Sequence, residues 1–177
     1  MKALVVYESM FGNTRAVAEA VADGLSATMQ VDLREVTEAP PAVPEDVALI
    51  VLGGPTHAFS LSRASTRAEA IKQGATHGSE KVGLREWLAH LERGPHSQMV
   101  ATFDTRSDKV RHLPGSAAKK AARVTRAQGY PRAEKESFYV ADTAGPLDPG
   151  ELDRAKEWGA RLGARAAARS GQGTAGS

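Results

Sequence analysis

A short stretch rich in hydroxyl and amide side chains stands at the junction of two patterns. The apolar run ALVVY leads into ESMFGNT, and a helical pattern follows at once. Ser9, Asn13 and Thr14 supply side-chain donors. Gly12 lets the backbone approach a ligand with no side chain in the way. A helix opening here presents free N–H groups and partial positive charge. The stretch 9–14 therefore suits an anion, and a single phosphate ester is the anion it suits best. Triphosphate loops carry a GK[ST] lysine and dinucleotide fingerprints a fixed glycine spacing, and neither is present. A plain helix cap remains the alternative, although a cap needs one residue and not six.

Other chemistries find little support. The chain has no GxSxG elbow and no HExxH, and no local context singles out a Ser, His and Asp set. It has no cysteine, which removes thiolate nucleophiles, disulfides and cysteine-bound metals. His57 lacks a histidine or carboxylate at ligand spacing. No catalytic residue and no metal site are therefore assigned. Net charge is +2, from 23 basic and 21 acidic residues. The basic residues are spread out and aromatics are few, so a nucleic-acid surface is not expected. Lys119, Lys120, Arg123 and Arg126 read as the wet face of a helix. The longest apolar run, VALIVL at 47–52, is too short for a membrane span. The opening MKALVVY reads as a strand and not as a secretory signal, so a cytoplasmic protein is expected.

The elements that must position the first stretch alternate along the chain. Strands are expected at 2–7, 30–34, 47–53, 98–103 and 136–141. Helices are expected at 14–28, 82–92 and 115–129, the last with Ser116 as cap and Gly129 as stop. A final helix should start with Asp148 as cap, Pro149 in its first turn and Glu151 closing a capping box. Its buried stripe is Leu152, Ala155, Trp158 and Leu162. Residues 60–81, basic through Arg63, Arg67, Lys72 and Lys81, read as a solvated connection with one short helix, with a lid or contact surface as the alternative. Residues 170–177, SGQGTAGS, read as a disordered tail after a single domain over 1–169. Five strands alternating with helices, several apolar on both faces, predict an α/β fold with a parallel sheet covered on two sides. Such sheets bind ligands beyond the C-terminal ends of their strands.

VVYESMFGNTRAVAEAV resembles the N-terminal signature of the flavodoxin-like family. The resemblance implies a three-layer sandwich with a five-stranded parallel sheet in the order 2-1-3-4-5, and bound flavin mononucleotide (FMN). It also implies that Ser9, Met10, Phe11, Gly12, Asn13 and Thr14 form the phosphate loop, with Ser9 and Thr14 as the main hydroxyl donors. GGPTHAF resembles the loop beside the flavin ring, which places Pro55, Thr56, His57, Ala58 and Phe59 along the isoalloxazine. Phe59 or His57 could stack there; Phe59 could equally plug the gap between loop and domain. Thr102, Phe103, Asp104, Thr105 and Arg106 match the opening of the loop on the pyrimidine side. Carriers of the family often have a glycine-rich turn, an Asp and a stacking Tyr at that point, and this chain has neither that Gly nor that Tyr. Asp104 and Arg106 could instead pair with each other or cap the next helix.

The implied function is an FMN-binding redox protein, with the flavin doing the chemistry. Its partner would be a redox protein or a small acceptor such as a quinone. The family's carriers are usually strongly acidic, and this chain is slightly basic. That departure keeps open an NAD(P)H-dependent quinone reductase of the same group. Such reductases are often homo-oligomers, an arrangement that would cover an exposed ring. A flavin-free regulatory or interaction module is the third reading.

Overall fold

The computed structural model describes residues 1–173. Strand β1 (Lys2–Tyr7) lies near the centre of the sheet and is followed by helix α1 (Asn13–Ser26) and strand β2 (Gln30–Glu35). Strand β3 (Val47–His57) and the two-residue β4 (Ser60–Leu61) form a hairpin. Helices α2 (Ala64–Lys72) and α3 (Leu84–His90) precede strand β5 (Met99–Ser107). A 3-10 turn at Asp108–Val110, helix α4 (Ala117–Ala127), strand β6 (Glu134–Val140) and helix α5 (Glu151–Gly173) complete the described chain. The long strands run parallel in the order β2-β1-β3-β5-β6, and β4 pairs antiparallel with the end of β3. With β4 set aside this is the expected order 2-1-3-4-5. The expected short helix in 60–81 is α2. No described helix is long and apolar enough to cross a membrane.

The sheet separates two apolar layers. On one side Val17, Val21, Phe103, Phe138 and Trp158 pack between the sheet, α1 and α5. On the other, Leu52, Leu61, Trp87 and Tyr130 pack against α3 and α4. Alternation of side chains along β5 divides its residues between these layers. Phe103 joins the first and Val100 the second.

Five expectations are corrected, and one of them is Leu152, expected in the buried stripe of the last helix but 45% exposed. Strand β3 does not end at Gly53, the end of the expected strand 47–53. It continues to His57, with Pro55 opposite Thr105 of β5. Strand β1 stops at Tyr7, opposite Gly53, so it leaves Gly54 and Pro55 unpaired by β1, and Thr56 and His57 pair with β4. Proline is tolerated at such an edge. Strand β5 likewise runs to Ser107, which turns the expected loop 102–106 into strand. The capping box on Asp148 does not form. Gly150 takes a left-handed conformation just before α5, and Glu151 turns away to accept the Tyr139 N–H at 2.7 Å. Arg154 donates to the Ser137 carbonyl at 2.5 Å, so the start of α5 occupies part of the open edge of β6. That protects an exposed strand edge from further pairing. Helix α5 runs through Gly173, past the start of the expected tail at 170; residues 174–177 lie outside the described residues.

Helices α1 and α5 cross at close range because glycine lines both. A Cβ on Gly24 would stand 2.0 Å from the Lys156 carbonyl oxygen, and one on Gly159 would stand 2.2 Å from that of Val21. Backbone atoms cannot swing aside. Gly24→Ala gains helix propensity of about 1 kcal/mol, but forced separation of packed elements costs about 1–3 kcal/mol. The steric cost should win, and urea unfolding should show Gly24→Ala to be the less stable protein.

Candidate functional site

A crevice of about 220 Å³ opens at the C-terminal ends of β1, β3 and β5. Met10, Phe11, Asn13 and Thr14 line one wall, Pro55 to Phe59 another, and Thr105 and Arg106 the floor. Eleven of the sixteen residues singled out in the sequence thus meet around one cavity. Ser9 and Gly12 stand just behind the first wall. Thr102, Phe103 and Asp104 do not reach the crevice. The Thr102 hydroxyl donates to the Ala118 carbonyl, Phe103 packs edge-on against Phe138 and Trp158, and Asp104 is buried against α4. Ser107, Val110 and Val140 also line the crevice and were not singled out, and Thr143, which the rule of strand ends placed either at the rim or in the turn to the last helix, lines it too. The unexpected length of β5 carries Ser107 and the following turn to the rim. Val140 arrives at the end of β6, a position that the rule of strand ends could have flagged.

Two long helices begin beside this crevice, and their N-termini differ. At α4, Ser116 Oγ accepts the Lys119 N–H, Asp104 Oδ2 accepts that of Ala118, and Thr56 Oγ1 accepts that of Ala117. The expected Ser116 cap is therefore present, and Asp104 supplies a second. Its positive end is filled by the protein itself. At α1, Gly12 precedes the first turn in a left-handed conformation (φ 87°) and no acidic residue follows. Ser9 Oγ accepts the N–H groups of Gly12 and Arg15 at 3.2 and 3.3 Å, which folds the loop back on itself. The N–H groups of Phe11, Asn13 and Thr14 have no acceptor among the described residues. Free donors at a helix N-terminus are an anion site. Thr14 Oγ1 and Thr105 Oγ1 lie 2.7 Å apart and tie this turn to β5. This donor set fits a phosphate ester, and the apolar and aromatic walls beyond it fit a flat ring.

The second wall is strained. Ala58 and Phe59 have φ of 46° and 61° and form the two-residue turn between β3 and β4. Both central positions of such a turn require φ > 0, which usually selects Asn and Gly. Phe59 is 47% exposed, so its ring is available at the rim and does not plug the gap behind the loop. His57 Nδ1 lies 3.0 Å from the Thr66 hydroxyl of α2. Burial, and then the positive charge of Arg67, hold its imidazole below the usual histidine range.

Arg67 was read as part of a solvated basic connection; it is 0% exposed. Its Nη1 donates to Ser62 Oγ at 2.8 Å, Nε donates to the Glu80 carbonyl at 2.9 Å, and Nη2 lies 3.0 Å from Glu86 Oε2. Ser62 in turn donates to Glu8, the residue just before the first loop. The other oxygen of Glu8 accepts the Leu84 N–H that starts α3. Burial pushes the Glu8 carboxyl above the usual range against these bonds. Gly83 leaves space for the contact, since a Cβ there would stand 2.4 Å from Arg67 Nη1 and 2.6 Å from Glu8 Oε2. The cluster fastens residues 60–84 beneath the first loop. His77 of that segment donates its N–H to the Met10 carbonyl at 3.2 Å.

Comparison with known proteins agrees with this architecture. The flavodoxin family model matches residues 5–80. Curated proteins give no match. Among solved structures, oxidised flavodoxin 1 from Bacillus cereus is similar with a TM-score of 0.62 and 15% identity, over 92% of this chain and 97% of that one. A flavodoxin from the domain Archaea gives 0.60 and 19%, over 94% and 99%. The flavodoxin of Streptococcus pneumonia TIGR4 gives 0.60 and 20%, over 93% and 99%. At these identities the likeness is one of fold.

Arg67→Met removes the cation paired with Glu86 and linked to the buried Glu8 through Ser62. Breaking a buried pair in this way costs about 3–5 kcal/mol, and urea unfolding should show a loss of that size. His57 gives a pH signature. Its folded pKa lies below an unfolded value of about 6.5, so its contribution is complete above that pH and lost as pH falls further. The stability gap between the natural protein and His57→Gln should therefore shrink as pH is lowered from about 6.5 to 5.

Proposed function

We propose that this flavodoxin-like chain binds FMN and transfers electrons through it. One observation carries the reading: α1 presents unfilled N–H donors to a crevice with aromatic walls, while the neighbouring α4 is closed by its own caps. Phe11, Asn13 and Thr14 would hold the phosphate through their N–H groups, with Thr14 Oγ1 and the Asn13 amide as side-chain donors. Ser9 Oγ shapes the loop by accepting the Gly12 and Arg15 N–H groups, and its own O–H proton stays available to donate. Pro55 to Phe59 would flank the ring, and the exposed Phe59 is the better placed aromatic for stacking. The bound group supplies the redox chemistry, and the protein supplies orientation, exclusion of water and electrostatics.

A dedicated carrier and a reductase of small acceptors share this site. The net charge of +2 favours the reductase. A carrier of the acidic kind meets basic partners through its charge, whereas a quinone needs access to the ring and no complementary protein face. Oxidation of NADH that depends on added quinone would identify the reductase. Its absence, with bound FMN still reducible by dithionite, would leave the carrier.

Cofactor binding itself is tested by mixing the protein with FMN, desalting, and reading the visible spectrum. The protein should stay yellow. Asn13→Asp is nearly isosteric and places a carboxylate where a helix N-terminus welcomes one, so folding should be kept. FMN affinity should fall at least about tenfold, the worth of one charge-assisted hydrogen bond. Unchanged affinity would remove the anion site from the reading.

A further inference from the structure

The crevice floor carries one buried formal charge, and no acidic residue lines the crevice to balance it. Arg106 is 5% exposed. It donates to the carbonyls of Gly115 and Leu113 at 3.1 and 3.2 Å, and to that of Val110. Its Nε has no partner, and among the described residues no carboxylate pairs with it. Carbonyls fix a guanidinium in place and leave its charge intact. No Asp or Glu lines the crevice.

The surrounding groups do not cancel the charge. Asp104 lies two residues back on the same strand, its Oδ2 accepts the Ala118 N–H at the start of α4, and it does not line the crevice. Burial pushes its carboxyl up, and the pull of Arg106 is the weakest of the opposing influences. His57, across the crevice on β3, is held towards its neutral form by burial and by Arg67. On the turn after β5, Asp108 and Lys109 carry opposite signs, and Lys109 lies 3.6 Å from Asp142 of the segment after β6. One fixed cation therefore dominates the crevice. A buried charge of this kind favours whichever ligand state brings the opposite one.

We infer that Arg106 selects the anionic form of two-electron-reduced FMN and so raises the reduction potential of this protein. The inference rests on the FMN reading above. The oxidised ring is neutral. It takes two electrons from the reductant and one proton from water, which leaves one negative charge on the ring. The second proton, which would neutralise it, stays in solution. Arg106 is thus a determinant of potential and takes no part in a bond change.

The test is a spectroelectrochemical titration of the FMN-loaded protein across pH, with dithionite as reductant and free FMN as reference. One proton per two electrons gives a slope of about 30 mV per pH unit, and two protons give about 60. The shallow slope should persist to lower pH in the protein than in free FMN. Arg106→Gln should lower the ratio of reduced-form to oxidised-form affinity about tenfold, which is about 30 mV, and move the bend back up in pH. Arg106→Lys keeps the charge but not the fork that holds three carbonyls, so it should keep most of the potential. A bend at or above that of free FMN overturns the inference, as does an equal loss in the Gln and Lys variants, which would trace the effect to packing of residues 107–115. Bound FMN with such a result leaves the cofactor reading standing, whereas a protein that never takes up FMN removes both.

Discussion

Unfilled backbone donors at the start of α1 are the constraint on which the rest of the site depends. A helix begins with N–H groups that the helix cannot satisfy. Proteins usually close such an end with a side chain, as this one does at α4. At α1 the available hydroxyl, Ser9, is turned to the back of the loop, where it holds Gly12 and Arg15. The front stays open toward the cavity. Because β1 lies between β2 and β3, its C-terminal end meets the crevice where neighbouring connections leave on opposite sides of the sheet. Ligands of doubly wound sheets gather at that kind of position.

The first loop keeps its shape because its surroundings are overdetermined. Glu8 stands at its entrance, buried, and closes the N-terminus of α3. Ser62 and Arg67 complete a polar cluster that carries the whole segment from β4 to α3. A buried ion pair of this sort adds little net stability, because desolvation offsets the attraction. Its effect here is to fix one arrangement: the hairpin, α2 and α3 have a single position under the loop. That same tethering can hold Ala58 and Phe59 in left-handed conformations, which persist only where the surrounding structure imposes them.

Much of this was legible in the residues, and the failures have physical causes. The parallel α/β sheet followed from alternation of apolar strands with helices, its strand order from the resemblance carried by the first motif, and the first loop from its own residue types. Ser116 read correctly as a cap because a serine before an alanine-rich helix has few other uses. The end of β3 was misread because Gly-Gly-Pro normally signals a turn. Neither glycine nor proline could reveal that β1 stops early and frees one edge of β3. The tip of β5 was misread for the related reason that Pro55 and Thr105 pair far along the sheet. Arg67 was invisible because burial of an arginine depends on partners distant in sequence, here Ser62, Glu80 and Glu86, and no local pattern announces them. Asp148 read as a cap on local grammar alone, whereas Gly150 and the demand of the β6 edge for Glu151 moved the helix start.

The central claim concerns the N–H groups of residues 11 to 14, and amide NMR observes them directly. Titration of the ¹⁵N-labelled protein with FMN should shift the resonances of Phe11, Gly12, Asn13 and Thr14 most strongly, with Ala58, Phe59 and Arg106 next. Inorganic phosphate alone should move the first group and leave the second nearly still. Shifts centred elsewhere, or a first loop that responds to neither compound, would contradict the account.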